Sequence, residues 1–170
     1  MNSHSWSTVG YFCAIATLLS VSYGWLVKVR KLPLNLMMNF SEAQFRFIKI
    51  WAKLAALVGI AVPIVMWIMF WQISNIRVFL SCYLFAIFVQ LASEIAFSRI
   101  LCKSVVVCIG TLYTGFRIWQ LWAGIQLIAY SPSLLLLLWL VLLFWIANLI
   151  MLTTVAIPSL VPQSASPYDK

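Results

Sequence analysis

The chain has 170 residues, of which 65% are hydrophobic and 8% are charged, and its mean hydropathy is +1.05. A soluble domain is about half apolar and about a quarter charged, so this composition excludes one and indicates an integral membrane protein. The net charge of +8 does not indicate nucleic-acid binding, because the basic residues flank apolar runs as membrane topology requires. The lipid bilayer is therefore the expected partner.

The hydropathy pattern predicts an all-α integral membrane protein, with a bundle of about five transmembrane helices and one interfacial amphipathic helix in a single domain over residues 1–170. At about 20 residues per span, five spans use most of the chain. The predicted spans are 9–27, 54–73, 78–97, 105–129 and 134–157, the interfacial helix is 41–53, and the tail 163–170 is expected to be disordered. No cleavable signal peptide is expected, since neither Lys nor Arg precedes the first apolar run.

The sequence that follows the first span has the pattern of an interfacial helix. Ser41 and Gln44 have the spacing of a capping box, which places a helix start at Ser41. Beyond it, Arg46, Lys49 and Lys53 recur on one side, with apolar residues flanking them. This pattern is typical of a helix lying on the inner leaflet before the chain bends into the second span. The three basic side chains are either a topology signal alone or a patch that docks a partner.

Spans two and three contain two features with more than one interpretation. Pro63 is expected to kink the second span, either for packing or as a gating hinge. Cys13 and Cys82 both lie near the predicted outer surface. They would form a disulfide if their spans touch, and the alternative is a pair of buried thiols.

The fourth predicted span contains a charged residue, Arg117, near its middle. A central arginine costs roughly 3 kcal/mol on insertion-derived scales, so its side chain should face protein or water rather than lipid. Tyr113, Arg117 and Gln120 recur at steps of three and four between Gly110 and Gly124, which places all five on one side of the helix.

The third span supplies the expected partners of Arg117, since Gln90 and Glu94 line up with Tyr83 along one side. Glu94 either snorkels to the inner interface, pairs with Arg117 or carries a proton. By helical rise Arg117 lies about 10 Å deeper in the membrane than Glu94, so a direct salt bridge between them is not assured. Hydrogen bonds from Gln90, Gln120 and Tyr113 could help to stabilise the two charged side chains. The predicted intramembrane polar centre is Arg117, Gln120, Tyr113, Glu94 and Gln90.

The fifth span contains one strongly polar residue near its middle, Asn148. An intramembrane asparagine most often joins helices by hydrogen bonding. The five leucines from Leu134 to Leu138 are expected to face lipid.

The basic residues predict the orientation of the chain. Nine of the eleven fall on one side of a five-span topology: Lys28, Arg30, Lys31, Arg46, Lys49, Lys53, Arg99, Lys103 and Lys170. Arg77 lies on the other side. This asymmetry predicts an N-terminus outside and a C-terminus in the cytoplasm, in a cell inner or plasma membrane.

The sequence contains no recognisable catalytic constellation. Of its three acidic residues only Glu94 lies within a span, and His4 is its single histidine. Paired-carboxylate catalysis, a metal site and a bis-histidine haem therefore lack the residues they need. We expect no catalytic residue, no metal and no cofactor.

Three functions remain as hypotheses. The first is a non-enzymatic multi-pass membrane protein that acts as a subunit or assembly partner of a larger membrane complex. The second is a carrier or binder of a lipid-like or anionic small molecule that uses Arg117 in an intramembrane pocket, with proton translocation through Glu94 as a narrower variant. The third is an intramembrane enzyme whose ligands come partly from a partner.

Two segments carry a family resemblance. Residues 93–99, SEIAFSR, and 112–122, LYTGFRIWQLW, resemble segments of uncharacterised multi-pass membrane proteins of cyanobacteria and plastids. The resemblance implies a thylakoid membrane or a plasma membrane as the location. It implies no catalytic residues.

Overall fold

Helices joined by short turns make up the structure, a computed structural model that describes residues 5–38, 40–127 and 132–161, with no strand among them. The helices are α1 (Trp6–Lys28), α2 (Glu42–Ala56), α3 (Val62–Met69), α4 (Ser74–Ile100), α5 (Val105–Leu127) and α6 (Pro132–Met151). A first π turn, Leu57–Ala61, joins α2 to α3, and a second π turn, Leu152–Ala156, follows α6 and precedes a 3₁₀ turn, Pro158–Leu160. The predicted disordered tail 163–170, His4 and the end of the predicted span 105–129 lie outside the described residues.

The predicted all-helical architecture is confirmed for the described residues. Four helical segments are long and apolar enough to cross a membrane: Trp6–Lys28, Glu42–Met69, Ser74–Ile100 and Pro132–Leu160. The 23-residue α5 is not among them, because the mean hydropathy of this helix is lowered by Arg117 and by the two glutamines of α5. Length and composition thus identify four of the five predicted spans.

The predicted helix start at Ser41 is confirmed. The Ser41 hydroxyl accepts a hydrogen bond from the Gln44 backbone N–H at 3.2 Å, and the Gln44 side chain accepts one from the Ser41 N–H at 3.0 Å. The helix that follows does not end at residue 53. It continues through α2, the first π turn and α3 as one segment of 28 residues, Glu42–Met69. The predicted interfacial helix 41–53 is therefore the first part of the second membrane-length helix, and α2 contains no buried residue.

The core lies around α5, which packs against α1, α4 and α6. One apolar cluster joins α3, α4, α5 and α6, and a second joins α1, α4 and α5. The expectation that Leu134–Leu138 face lipid is wrong for two of the five residues. Leu134 and Leu138 are 1% and 2% exposed, whereas Leu136 is 70% exposed. Residues four apart share a side of a helix, so a leucine run on a helix that packs on one side cannot face lipid throughout.

Two glycines allow helices to approach closely. A Cβ atom added at Gly59 would lie 2.5 Å from the ring of Trp145, and one added at Gly124 would lie 2.5 Å from the ring of Phe79. Both rings belong to neighbouring helices, so the glycines let the backbone lie directly against an aromatic ring. Small residues serve this purpose in membrane proteins, where burying apolar surface gives little net drive for association.

The connection between α1 and α2 packs across one end of the bundle. Lys28 Nζ donates to the Ile100 carbonyl at 2.9 Å, the Asn35 N–H donates to the Leu160 carbonyl at 2.8 Å, and the Ser104 N–H donates to the Leu36 carbonyl at 3.4 Å. The ends of α1, α4 and α6 and the start of α5 therefore meet at one end. Arg77 lies at the opposite end, where it donates to the Trp71 carbonyl at 3.4 Å.

The close approach at Gly59 generates a stability prediction. Gly59→Ala is expected to destabilise the protein by about 1–3 kcal/mol, since the new methyl group overpacks against Trp145. The measurement is the unfolding equilibrium in mixed micelles.

The matched control is Gly115→Ala on α5, where an added Cβ atom meets no atom within 4 Å. This change is expected to be neutral or to stabilise by up to about 1 kcal/mol through helix propensity. Equal effects of the two substitutions would contradict the close approach.

Candidate functional site

The guanidinium of Arg117 is held inside the bundle and is 2% exposed. Its carbon Cζ lies 4.2 Å from the ring centroid of Trp145 on α6. One of its terminal nitrogens donates a hydrogen bond to Oε1 of Gln90 on α4. Its Nε atom is buried without a hydrogen-bond partner. Arg117 thus has an aromatic face and an amide to stabilise its charge, while the N–H donor of its Nε has no partner.

Gln90 connects Arg117 to Glu94. Its Oε1 accepts from Arg117, while its Nε2 donates to Oε1 of Glu94 at 2.5 Å. Because the two bonds use opposite ends of one amide, the orientation of the Gln90 side chain is fixed. A buried cation and a partly buried carboxylate are therefore joined through one neutral group. Opposite charges stabilise one another strongly where the surroundings are apolar.

The ring of Trp145 is positioned by a second chain of hydrogen bonds. Its Nε1 donates to the Tyr83 hydroxyl at 2.6 Å, and that hydroxyl donates to the Gly59 carbonyl at 2.9 Å. The sequence explains why this carbonyl is available. Pro63, four residues further on, has no N–H to donate to it. Tyr83 therefore satisfies the backbone acceptor that the proline leaves open, and it fixes the ring beneath Arg117 at the same time.

Asn148 joins three helices next to this cluster. Its Oδ1 accepts from Trp51 Nε1 of α2 at 2.7 Å, and its Nδ2 donates to Thr114 Oγ1 of α5 at 3.1 Å. The predicted role of Asn148 as a contact between helices is confirmed. These bonds hold α2 against the bundle, and the ring of Trp51 also stacks on Phe144 at 5.3 Å between centroids.

A partly open cavity of about 340 Å³ lies between α2, α4, α5 and α6. Its surface is predominantly apolar, and α2 contributes one wall through Ile48, Trp51, Ala52, Ala55 and Ala56. Its polar side chains are those described above, and Gly110 also belongs to the lining: Gln90, Glu94, Thr114, Arg117, Trp145 and Asn148. The cavity therefore combines a large apolar volume with polar groups that include one cation and one carboxylate.

Both π turns border the cavity, through Ile60 in the first and through Leu152 and Ala156 in the second. Each precedes a proline, Pro63 and Pro158 respectively. Where a proline removes the i→i−4 hydrogen bond, a wider turn is one way to rearrange the backbone bonds. π turns within helices are frequent at functional sites, which agrees with their position here.

The five residues of the predicted polar centre occupy two places in the structure. Arg117, Gln90 and Glu94 form one hydrogen-bonded chain on the cavity wall. Tyr113 packs against Phe12 of α1 with ring centroids 5.2 Å apart. Gln120 is fully buried. Both side chains are outside the cavity lining, and the polar atoms of both lack a hydrogen-bond partner.

Several cavity residues have no clear signal in the sequence. Trp145, Trp51 and Thr114 are common types in membrane helices, and nothing in their spacing assigns them to a site. The sequence offers one hint, which is a spacing of three positions that places two residues on the same side of a helix. This spacing relates Thr114 to Arg117 on α5 and Trp145 to Asn148 on α6.

The basic residues of α2 lie on another side of that helix from the cavity wall. Arg46, Lys49 and Lys53 are all exposed, and Lys49 Nζ lies 4.6 Å from the ring centroid of Phe45. The arrangement separates an apolar side that faces the cavity from a charged side that faces outward. Such a helix suits the boundary between a membrane and water.

Cys13 and Cys82 are both buried thiols. Within the part of the chain that the structure describes, no group of three or more His, Cys, Asp or Glu residues could hold a metal ion.

No family model matches the chain, and neither a curated protein nor a solved structure matches it.

The bond between Tyr83 and Gly59 generates a second prediction. Tyr83→Phe is expected to cost about 1–3 kcal/mol of stability, because it leaves the Gly59 carbonyl and the Trp145 N–H without partners. Pro63→Ala restores a backbone N–H four residues after Gly59. In the double variant the cost of losing the hydroxyl should fall by at least about 0.5 kcal/mol, as measured by a double-mutant cycle on unfolding.

Tyr113→Phe is the matched control, since the Tyr113 hydroxyl is buried without a partner. Removing it is expected to be neutral or stabilising. If Tyr113→Phe costs as much as Tyr83→Phe, or if the cycle is additive, the proposed replacement of the backbone bond is wrong.

Proposed function

We propose that the protein is a multi-pass membrane protein that binds one lipid-like small molecule in the cavity between α2, α4, α5 and α6. The observation that carries this proposal is a buried arginine with an unused donor, Arg117, on the wall of a predominantly apolar cavity. Ligand pockets are typically apolar with a few polar groups that orient the ligand, and their volumes are roughly 300–1,000 Å³. The cavity has this composition and size.

The energetic cost of Arg117 supports a binding role over a purely structural one. A charge at the centre of a membrane helix costs several kcal/mol, and intramembrane charges usually mark a functional site. Arg117 is already stabilised by Gln90 and Trp145. A ligand with a hydrogen-bond acceptor would give the guanidinium the partner that its Nε lacks.

The wall formed by α2 supports entry from the bilayer. All the residues of α2 are at least partly exposed, and this helix is held to the bundle near the cavity by the bond between Trp51 and Asn148. A hydrophobic molecule dissolved in the membrane would reach the cavity alongside α2 without crossing water.

Five spans are part of the proposal, with α5 as the span that hydropathy does not identify. Its 23 residues are long enough to cross the hydrocarbon core, and its polar residues are shielded by α1, α4 and α6. With five spans, the basic residues at the ends of α1 and α4 and at the starts of α2 and α5 lie on the same side of the membrane. The positive-inside rule assigns that side to the cytoplasm, so the N-terminus of α1 lies outside. The proposed location is a plasma or inner membrane, with a thylakoid membrane as the alternative that the family resemblance implies.

A role as a subunit or assembly partner is the second candidate, and the exposed side chains of α2 favour it. Phe45, Phe47 and Ile50 are exposed beside the basic residues, so α2 offers both apolar and charged surface to another chain. Ligand binding and assembly are compatible, since they use different sides of this helix.

The topology generates a third prediction, testable by cysteine labelling in intact cells. Asn75→Cys and Lys103→Cys introduce thiols at exposed positions at opposite ends of the bundle. A membrane-impermeant maleimide should label Asn75→Cys in intact cells and Lys103→Cys only after permeabilisation. The unsubstituted chain, whose native cysteines are largely buried, gives the background, and the reverse labelling pattern would overturn the orientation.

Filling the cavity generates a fourth prediction. An added Cβ atom at Gly110 lies 3.7 Å from Leu152, which is ordinary contact, so Gly110→Leu should fold and occupy the cavity. In nanodiscs of zwitterionic lipid, binding of dodecan-1-ol should weaken at least about tenfold, because the leucine side chain and the ligand compete for the same volume. The measurement is calorimetric titration, with protein-free discs subtracted.

Gly115→Leu is the control for this experiment. Gly115 lies on the same helix outside the cavity lining, and an added Cβ atom there meets no atom within 4 Å. Wild type and Gly115→Leu should bind dodecan-1-ol equally. Unweakened binding in Gly110→Leu would exclude this cavity as the site.

A further inference from the structure

The charges in the cavity are balanced. Among the lining residues that the structure describes, Arg117 is the basic group, Glu94 is the acidic group, and the others carry no charge. Gln90 joins the two by hydrogen bonds at both ends of its amide. When both groups are ionised, the cavity without a ligand has a net charge near zero.

The groups facing Glu94 are few. Gln90 contacts it from its own helix, and Arg117 is the charged group that faces it from α5. A Cβ atom at Gly110 of α5 would lie 4.0 Å from Glu94 Oε1, so the backbone of α5 passes close to the carboxylate. The other cavity walls bring Trp51 from α2 and Asn148 from α6, and neither of these titrates near neutral pH.

From this arrangement we infer that the ligand is an amphiphilic monoanion and that it binds together with one proton, which neutralises Glu94. The inference rests on the proposed function, since it specifies the ligand of the same cavity. An anion bound at Arg117 would leave the cavity with a net negative charge in surroundings of low dielectric constant, which is costly. Protonation of Glu94 restores the balance without any change in the protein chain.

The proton comes from solution and is held on the carboxyl group of Glu94, and no bond of the ligand is made or broken. The anionic group of the ligand accepts hydrogen bonds from Arg117, and its apolar chain occupies the remaining volume. The Glu94 carboxyl gains an O–H donor, and Gln90 can continue to bridge the two side chains. Binding therefore moves one negative charge and one proton together.

The direction of the pH dependence follows from this linkage. The complex binds one proton more than the free protein, so a higher pH disfavours it. Above the pH at which Glu94 of the free protein is ionised, the affinity for the anion should fall about tenfold for each pH unit. A neutral ligand of the same length should show no such slope.

The test uses the full chain in zwitterionic nanodiscs and two probes of equal length, dodecane-1-sulfonate and dodecan-1-ol. The sulfonate stays ionised at every pH used, so any proton taken up belongs to the protein. Calorimetry in buffers of different ionisation enthalpy counts the protons. Wild type should take up about one proton per sulfonate and none per alcohol, with the pH slope for the sulfonate alone.

Glu94→Gln is the decisive variant, because it keeps the shape and removes the charge. It should bind the sulfonate with no proton uptake and no pH slope, and at pH 8.5 at least about tenfold more tightly than wild type. Glu42→Gln, at an exposed position on α2, is the matched control and should behave as wild type. The neutral double variant Glu94→Gln/Arg117→Gln should lose affinity for the sulfonate by at least about tenfold relative to Glu94→Gln, and by more than for the alcohol.

Two results would overturn the inference in different ways. If the alcohol and the sulfonate bind wild type with the same affinity at every pH, or if Glu94→Gln retains the proton uptake, the coupling is wrong while the lipid-binding function stands. If neither probe binds above protein-free discs, or Gly110→Leu leaves both unaffected, the proposed function fails and the inference fails with it.

Discussion

A guanidinium ion inside an apolar bundle needs several partners, because taking it out of water costs more than one hydrogen bond returns. In this protein the partners of Arg117 come from two neighbouring helices, Gln90 from α4 and the ring of Trp145 from α6. Each partner is itself held in place, Gln90 by Glu94 and Trp145 by Tyr83. The relative rotation of α4, α5 and α6 is therefore tied to one charged side chain.

The same requirement links distant parts of the chain. Tyr83 reaches the Gly59 carbonyl that Pro63 leaves without a donor, and the absence of a side chain at Gly59 leaves space for Trp145. A proline, a glycine, a tyrosine and a tryptophan on three helical segments thus support the position of one arginine. The cavity lies beside this cluster, so its polar wall is fixed by contacts that extend well beyond the cavity itself.

Much of the architecture follows from local rules in the sequence. The apolar runs, the capping box at Ser41 and the interior position of a costly charge can all be read from residue types and spacing. The difference in depth between Glu94 and Arg117 argued against relying on a direct salt bridge and left three candidates for hydrogen bonding to them, of which Gln90, one helical turn deeper than Glu94, bridges the two in the structure. What the spacing could not resolve was which part of a helix surface meets which neighbour. Stepping 100° per residue places Tyr113 and Gln120 at one edge of the polar side of α5 and Gly110 and Arg117 at the other, and in the structure only the second edge meets the cavity. The cavity and the role of Trp145 depend on how several helices are rotated together, which no single segment encodes.

The first π turn determines how α2 and α3 are oriented about their shared axis. A π turn winds one more residue than an α turn, so the residues after it are turned by about 100° relative to an unbroken α-helix. That offset lets Pro63 and Met66 of α3 point into the core while Arg46, Lys49 and Lys53 of α2 remain on the outside. Deleting one residue from Leu57–Ala61 would remove the offset, and either the charged side of α2 or the apolar side of α3 would then face the wrong surroundings.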